Sequence, residues 1–130
     1  MSNNVILDAS ALLVLLKNEP GADMIEPLLG RIIMSSISVS EVAASLLNSD
    51  MTLQECQEAI LPFISTIVPF NEEQAFLAAE LEKQIKDYDL SLADKACLAL
   101  AQQMKLPLYT ANKNWEKLQL EMIKIKLLLQ

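Results

Sequence analysis

The chain has 130 residues, 52% of them apolar, with two glycines and five prolines, a composition that suits one domain with a substantial core and excludes two comfortable cores, disorder or a loop-rich fold. It contains no histidine, which removes Ser-His-Asp and Cys-His nucleophile systems, histidine acid–base pairs and histidine-ligated zinc, and leaves carboxylates, hydroxyls, lysines or a hard metal ion for any hydrolytic chemistry. The formal net charge of −7 counts against a passive nucleic-acid binder, less against a nuclease in which a bound cation reverses the local sign, and suits a basic protein partner.

Taken in chain order, Val5-Ile6-Leu7 is a short β-favouring run that ends at Asp8-Ala9-Ser10. A helix is predicted over Ala11 to Leu16, and Asn, Pro and Gly break it between Lys17 and Gly21. Ala22 to Leu29 reads as a short helix broken or started by Pro27. Arg31 to Ser36 holds the second strand, followed by a helix over Ser38 to Leu47. Another helix is expected from Thr52 to about Ile64, opened by Thr52 and Glu55 in capping-box spacing. Thr66 to Phe70 is a third strand that Pro69 assigns to a sheet edge or ends early.

Asn71 caps the longest helix, which runs to Lys86 with Leu77, Ala78, Leu81 and Ile85 as its buried stripe and Phe76 at the margin. Ser91 to Lys105 is a further helix, Leu106 to Thr110 a fourth strand, and Asn112 to Leu118 a short polar turn or helix. Met122 to Leu129 ends the chain as a strand in which Lys124 and Lys126 alternate with apolar residues. Strands alternating with helices predict one α/β domain over residues 1–130 with a mainly parallel sheet. Met1 to Asn4 is polar and Asp8 interrupts the first apolar run, so no signal peptide is expected, and no apolar stretch reaches the length of a membrane span. Cys56 and Cys97 match no metal or disulfide spacing and are expected as buried small hydrophobes in the reducing cytoplasm.

Three of the acids stand apart by position. Asp8 follows the first strand, Glu41 lies in the first turn of the helix after the second, and Asp94 lies in the first turn of the helix at Ser91. Asn112 just follows the fourth strand. Junctions at the ends of parallel strands point to one end of the sheet, where ligands of such sheets bind. Singly, each acid also reads as a helix cap: Ser38 to Glu41 fits a capping box and Ser91 to Asp94 comes close to one. Jointly, each is set in apolar sequence, where a carboxylate is paired or bound to metal. Clustered carboxylates repel, so a cation-free site should raise at least one pKa by mutual repulsion, and oxygen-only ligands select Mg²⁺ or Mn²⁺.

The segments Val5 to Leu12, Ser38 to Val42, Leu90 to Ala101 and Leu106 to Trp115 resemble, in order, the motifs of the PIN-domain family, and within it the VapC-type toxins of bacterial toxin–antitoxin pairs. The resemblance implies a three-layer αβα sandwich with a mainly parallel sheet. It also implies Mg²⁺- or Mn²⁺-dependent endoribonuclease activity on cellular RNA, a homodimer, and inhibition by a cognate antitoxin. It makes Asp8, Glu41 and Asp94 the metal ligands and Asn112 a further site residue, with Ser10 and Thr110 as supporting hydroxyls. Asn112 departs from the family pattern, which has an Asp there; it supplies one fewer charge and puts a second metal in doubt.

Trp115 reads as a core residue, and Lys95 and Lys113 as either surface charges or phosphate contacts. Leu13, Leu16, Ile25, Leu28, Ile60 and Phe63 are expected to exceed what one core can hide and to form a dimer face and a groove for a partner's apolar segment. The acidic cleft should also attract a partner arginine in place of the metal. Two other readings stay open. A catalytically weakened scaffold working through protein contacts has Asn112 as its support. An aspartate phosphoacceptor at Asp8 lacks the second acid of a D-x-D pair.

Overall fold

Residues 3–128 are described by the computed structural model. Apolar β-formers open it: β1 (Val5–Leu7) is buried on both sides, as a central parallel strand must be. Next come α1 (Ala9–Leu16), α2 (Ala22–Ile25), β2 (Ile32–Ser35), α3 (Ser36–Leu47) and α4 (Leu53–Ile60). They are followed by β3 (Thr66–Val68), α5 (Glu72–Ile85), α6 (Leu92–Met104), β4 (Leu108–Thr110) and β5 (Ile125–Leu127). The five strands form one sheet in the order β3-β2-β1-β4-β5, and every neighbouring pair is parallel. The α/β architecture with a parallel sheet is therefore present, and β3 is the edge strand that Pro69 suggested.

The period-2 alternation of the strands separates two cores. Val5, Leu7, Ile32 and Met34 pack with α1 to α4 on one face, whereas Ile6, Ile33 and Leu108 pack with α5, α6 and Trp115 on the other. That gives the three layers. Helix α6 is buried continuously from Ala96 to Ala101, so its alanines let it lie inside the core, with its N-terminus carrying Asp94.

Several boundaries differ from the sequence reading. Helix α1 starts at Ala9 because Asp8 caps it. Helix α3 starts at Ser36, capped by the Ser35 side chain, so Ser38 caps nothing and Glu41 sits in the second turn rather than the first. Pro27 and Pro62 each lie in a 3-10 turn, Glu26–Leu28 and Leu61–Phe63, which ends the preceding helix early because proline has no N–H to donate. The Thr52–Glu55 capping box of α4 is present. Strand β4 is shorter than read, since Pro107 offers the ladder only its carbonyl, to Ile6 N–H at 2.9 Å. A turn closed by Ile123 N–H on Leu120 O delays β5, and Leu129 lies outside the described residues.

The expected apolar surface is largely a misassignment. Ile25, Leu28 and Ile60 are buried core, and Leu13, Leu16 and Phe63 are half-buried against it; the two-faced sheet hides more than a single layer would. The large apolar side chains most open to solvent are instead Phe76, Met122, Leu53 and Leu92. Phe76 points away from the stripe it was expected to border. Both cysteines are buried and free. Among the described residues, no helix is long and apolar enough to cross a membrane.

Candidate active site

The strand order reverses between β1 and β4, and in such sheets the crevice beyond the strand ends at that point is where ligands bind. Asp8 leaves the end of β1 and Thr110 ends β4, and their side chains meet across it. Thr110 Oγ1 donates to Asp8 Oδ2 at 2.5 Å. Ser10 Oγ donates to Asp8 Oδ1 at 2.7 Å, and the N–H of Ala11 donates to the same oxygen at 2.8 Å. Ser10 Oγ also accepts from Ala111 N–H at 3.0 Å and lies 3.3 Å from Thr110 Oγ1. Thr110 Oγ1 accepts in turn from Asn112 N–H at 3.0 Å. The segment after β4 is thus tied to the segment after β1 through two hydroxyls and one carboxylate.

Asp8 is only 5% exposed. Burial is the largest influence on it and lifts its carboxyl to about 6, against the three hydrogen bonds, with a smaller push from Asp94. Glu41 is also raised, by partial burial first and by Asp94 second. Repulsion between acids, the cause expected from sequence, is present, but desolvation leads at both residues.

The electrostatic influence of the acids also reaches a residue that carries no functional signal in the sequence. Cys97 is wholly buried and donates its thiol to the carbonyl of Leu7 at 3.8 Å. Burial pushes that thiol far up, with further contributions from Asp8, Asp94 and Glu41. One buried atom therefore senses all three carboxylates, together with a hydrogen bond involving the buried Ser38. Cys97, three residues after Asp94 in a helix, is open to detection by spacing, but a cysteine in an Ala-Leu run reads as one more small hydrophobe.

The carboxylates are not equally committed. Asp94 Oδ2 accepts from Ser91 N–H at 3.0 Å, closing the capping box at the start of α6. Asn112 Oδ1 accepts from Asn114 N–H at 3.0 Å and caps the 3-10 turn Lys113–Lys117. The capping readings of Asp8 and Asp94 thus hold alongside convergence. As the side chains stand, no group of three or more acids or cysteines among the described residues is arranged to hold a metal ion. The donor chemistry nonetheless fits a hard divalent cation: oxygen ligands only, one of them a carboxylate whose burial a positive charge would offset. Lys95, a candidate phosphate contact, is engaged instead with Glu82 at 2.6 Å. Trp115 is buried in the core, as expected.

A parallel sheet ordered in this way, with a buried, hydroxyl-clamped carboxylate at its switch point, defines a class. The PIN-domain model matches residues 5–120, and the chain belongs to the PIN-domain family. Its fold is similar to that of the DNA-bound VapBC of Salmonella typhimurium, with a TM-score of 0.77 and 18% identity over 99% of this chain and 100% of that one. It is also similar to a toxin–antitoxin complex from Klebsiella pneumoniae, with a TM-score of 0.72 and 23% identity over 92% and 95%. A third similar fold is VapC20 of Mycobacterium tuberculosis, a sarcin-ricin-loop-cleaving toxin, with a TM-score of 0.70 and 13% identity over 93% and 99%. No curated protein matches the sequence.

The raised carboxyl of Asp8 has a pH consequence. The folded chain holds this proton more tightly than the unfolded chain, so native stability falls as pH rises from about 4 to about 6 and then levels off, a deficit on the order of 2–3 kcal/mol without cation. Asp8→Asn should therefore raise the metal-free melting temperature by several degrees at pH 7, and the two curves should meet near pH 4. A variant less stable than the parent at pH 7 would show that the hydrogen bonds to the carboxylate outweigh its burial.

Proposed function

We propose that the protein is a divalent-metal-dependent endoribonuclease and the toxin member of a toxin–antitoxin pair. The observation that carries this reading is the buried Asp8 carboxylate, clamped by Thr110 and Ser10 at the switch point and placed in the field of Asp94. Membership of the PIN-domain family and the similarity in fold to a sarcin-ricin-loop-cleaving toxin support it. Asp8, Glu41 and Asp94 are the residues that would hold Mg²⁺ or Mn²⁺. The chemistry such an ion supplies is activation of water and neutralisation of the charge that builds on a phosphodiester under attack.

The chain's own residues prepare this. Thr110 and Ser10 fix the rotamer of Asp8, so its position is set before substrate arrives. Asp94, at the N-terminus of the core helix α6, is fixed in depth by its capping box. Asn112 holds the rim of the site with its amide, and the uncharged side chain there favours one cation over two. The inert-scaffold reading draws support from the same Asn112, whose amide is occupied as a cap.

For partners, the reading is a cytoplasmic homodimer with a cognate antitoxin. An open groove of about 490 Å³, lined by Leu16, Leu46, Met51, Ala59, Pro62 and Phe63, suits an apolar antitoxin segment. An arginine of the same partner entering the acidic crevice would take the place of the cation's charge.

The protein should cleave RNA in Mg²⁺ or Mn²⁺ and stop in EDTA. Asp8→Asn, Glu41→Gln and Asp94→Asn should each lower the rate by roughly 100-fold or more with the fold retained, and Asn112→Asp should maintain or raise it. Cleavage that persists in EDTA refutes the metal mechanism. For the partner, co-purification with the antitoxin should weaken when the antitoxin's arginines are removed, and undiminished binding would remove charge replacement as the mode of inhibition. Sedimentation at micromolar concentration should give a dimer, and a monomer there would remove that assignment.

A further inference from the structure

Charge is divided between the two ends of the sheet. Between Arg31 and Lys83 there are eight acids and no basic residue, and this stretch builds β2, α3, α4, β3 and most of α5. From Lys105 to Gln130 there are five lysines against Glu116 and Glu121, and this stretch builds β4, the 3-10 turn Lys113–Lys117 and β5. A chain of net charge −7 thus carries a locally positive edge.

That edge adjoins the crevice. Lys113 directly follows Asn112 at its rim and is exposed, as is Lys117 on the same turn. Lys126 is in register with Tyr109, next to the Thr110 that holds Asp8, and its ammonium lies 5.8 Å from the centre of the Tyr109 ring. Lys124, also exposed, carries the edge to the opposite strand end, where its carbonyl accepts from Leu108 N–H at 2.9 Å. Among the described residues the ion pair formed is Lys95 with Glu82, so none of these four lysines is neutralised by an acid.

We infer that this β4–β5 edge, through Lys113, Lys117, Lys124 and Lys126, is where the phosphate backbone of an RNA substrate lies on its way to the crevice. The inference rests on the ribonuclease reading for the identity of the occupant. An acidic crevice repels the phosphates on either side of the cleaved one. Cations beside it hold those phosphates without recognising sequence. The stretch that builds β2, α3, α4 and β3, with acids alone between Arg31 and Lys83, disfavours a polyanion by the same argument.

The test is binding of a fluorescein-labelled single-stranded RNA oligomer of mixed sequence, read by anisotropy in EDTA at low salt, so that cleavage does not intervene. Replacing the four lysines together by glutamine should weaken binding by about tenfold or more and flatten the dependence of log affinity on log salt by about 2–3. Arginine at the four positions should restore both. A control carrying Lys17→Gln, Lys83→Gln and Lys86→Gln should lose far less, with thermal melts confirming that both variants fold. Equal losses in the two variants, or no loss in the first, overturn the inference. So does retained RNA affinity with lost binding of a polyglutamate peptide, which would assign the edge to an acidic protein segment. An oligomer bound through the four lysines but left intact in Mn²⁺ would sink the ribonuclease reading and leave the binding edge in place.

Discussion

The hydrogen bond from Thr110 to the buried carboxylate of Asp8 joins the two halves of the chain at the point where the sheet reverses its order. Strands β1 to β3 lie on one side of that point and β4 and β5 on the other. A buried carboxylate is costly, and this one is tolerated because two hydroxyls and a helix N–H satisfy its oxygens. The same contacts place it at the strand ends, where Glu41 and Asp94 also bear on the buried Cys97. Structure and proposed chemistry therefore depend on one group: what makes Asp8 expensive to bury without a cation is what would make it a ligand for one.

This balance gives a physical account of the proposed nuclease in an acidic chain. In the proposed reading the carboxylates would recruit the cation, an arginine of an inhibitor would compete for the same charge, and lysines on the β4–β5 edge beside the crevice would hold the substrate. Each proposed partner would then meet a surface of opposite sign, although the protein as a whole is strongly negative. The surface assignments follow from where the chain places its ten cationic side chains, half of which come after Met104 has closed helix α6.

Much of this was legible from residue order alone. Short apolar runs ending in Asp8 and Thr110 marked the strand ends, and their parallel pairing follows from the helices between them. Caps with strong local chemistry, Thr52 with Glu55, Asn71 and Ser91, were readable because a side chain three residues from a free N–H acts without help from the rest of the fold. The start of α3 was not, because Ser35, Ser36, Ser38 and Ser40 all have capping chemistry and only the end of β2 selects among them. Burial of Ile25, Leu28 and Ile60 was missed for a related reason: a sheet with two covered faces has room that a helix pattern alone does not reveal. Cys97 was missed because its significance is purely spatial. The family motifs implied that the acids share one end of the sheet, and the hydrogen bonds of Asp8 with Ser10 and Thr110 could not be read from them.

The central claim is that Asp8, Glu41 and Asp94 act as one cation site although each is held in part by other contacts. Titration of Mn²⁺ into the metal-free protein, followed by electron paramagnetic resonance of the free ion, measures this without reference to cleavage. The account predicts saturable binding that weakens by about tenfold or more in each of Asp8→Asn, Glu41→Gln and Asp94→Asn, since each removes a charged ligand from a shared site. Binding equal to the parent's in all three variants would contradict it.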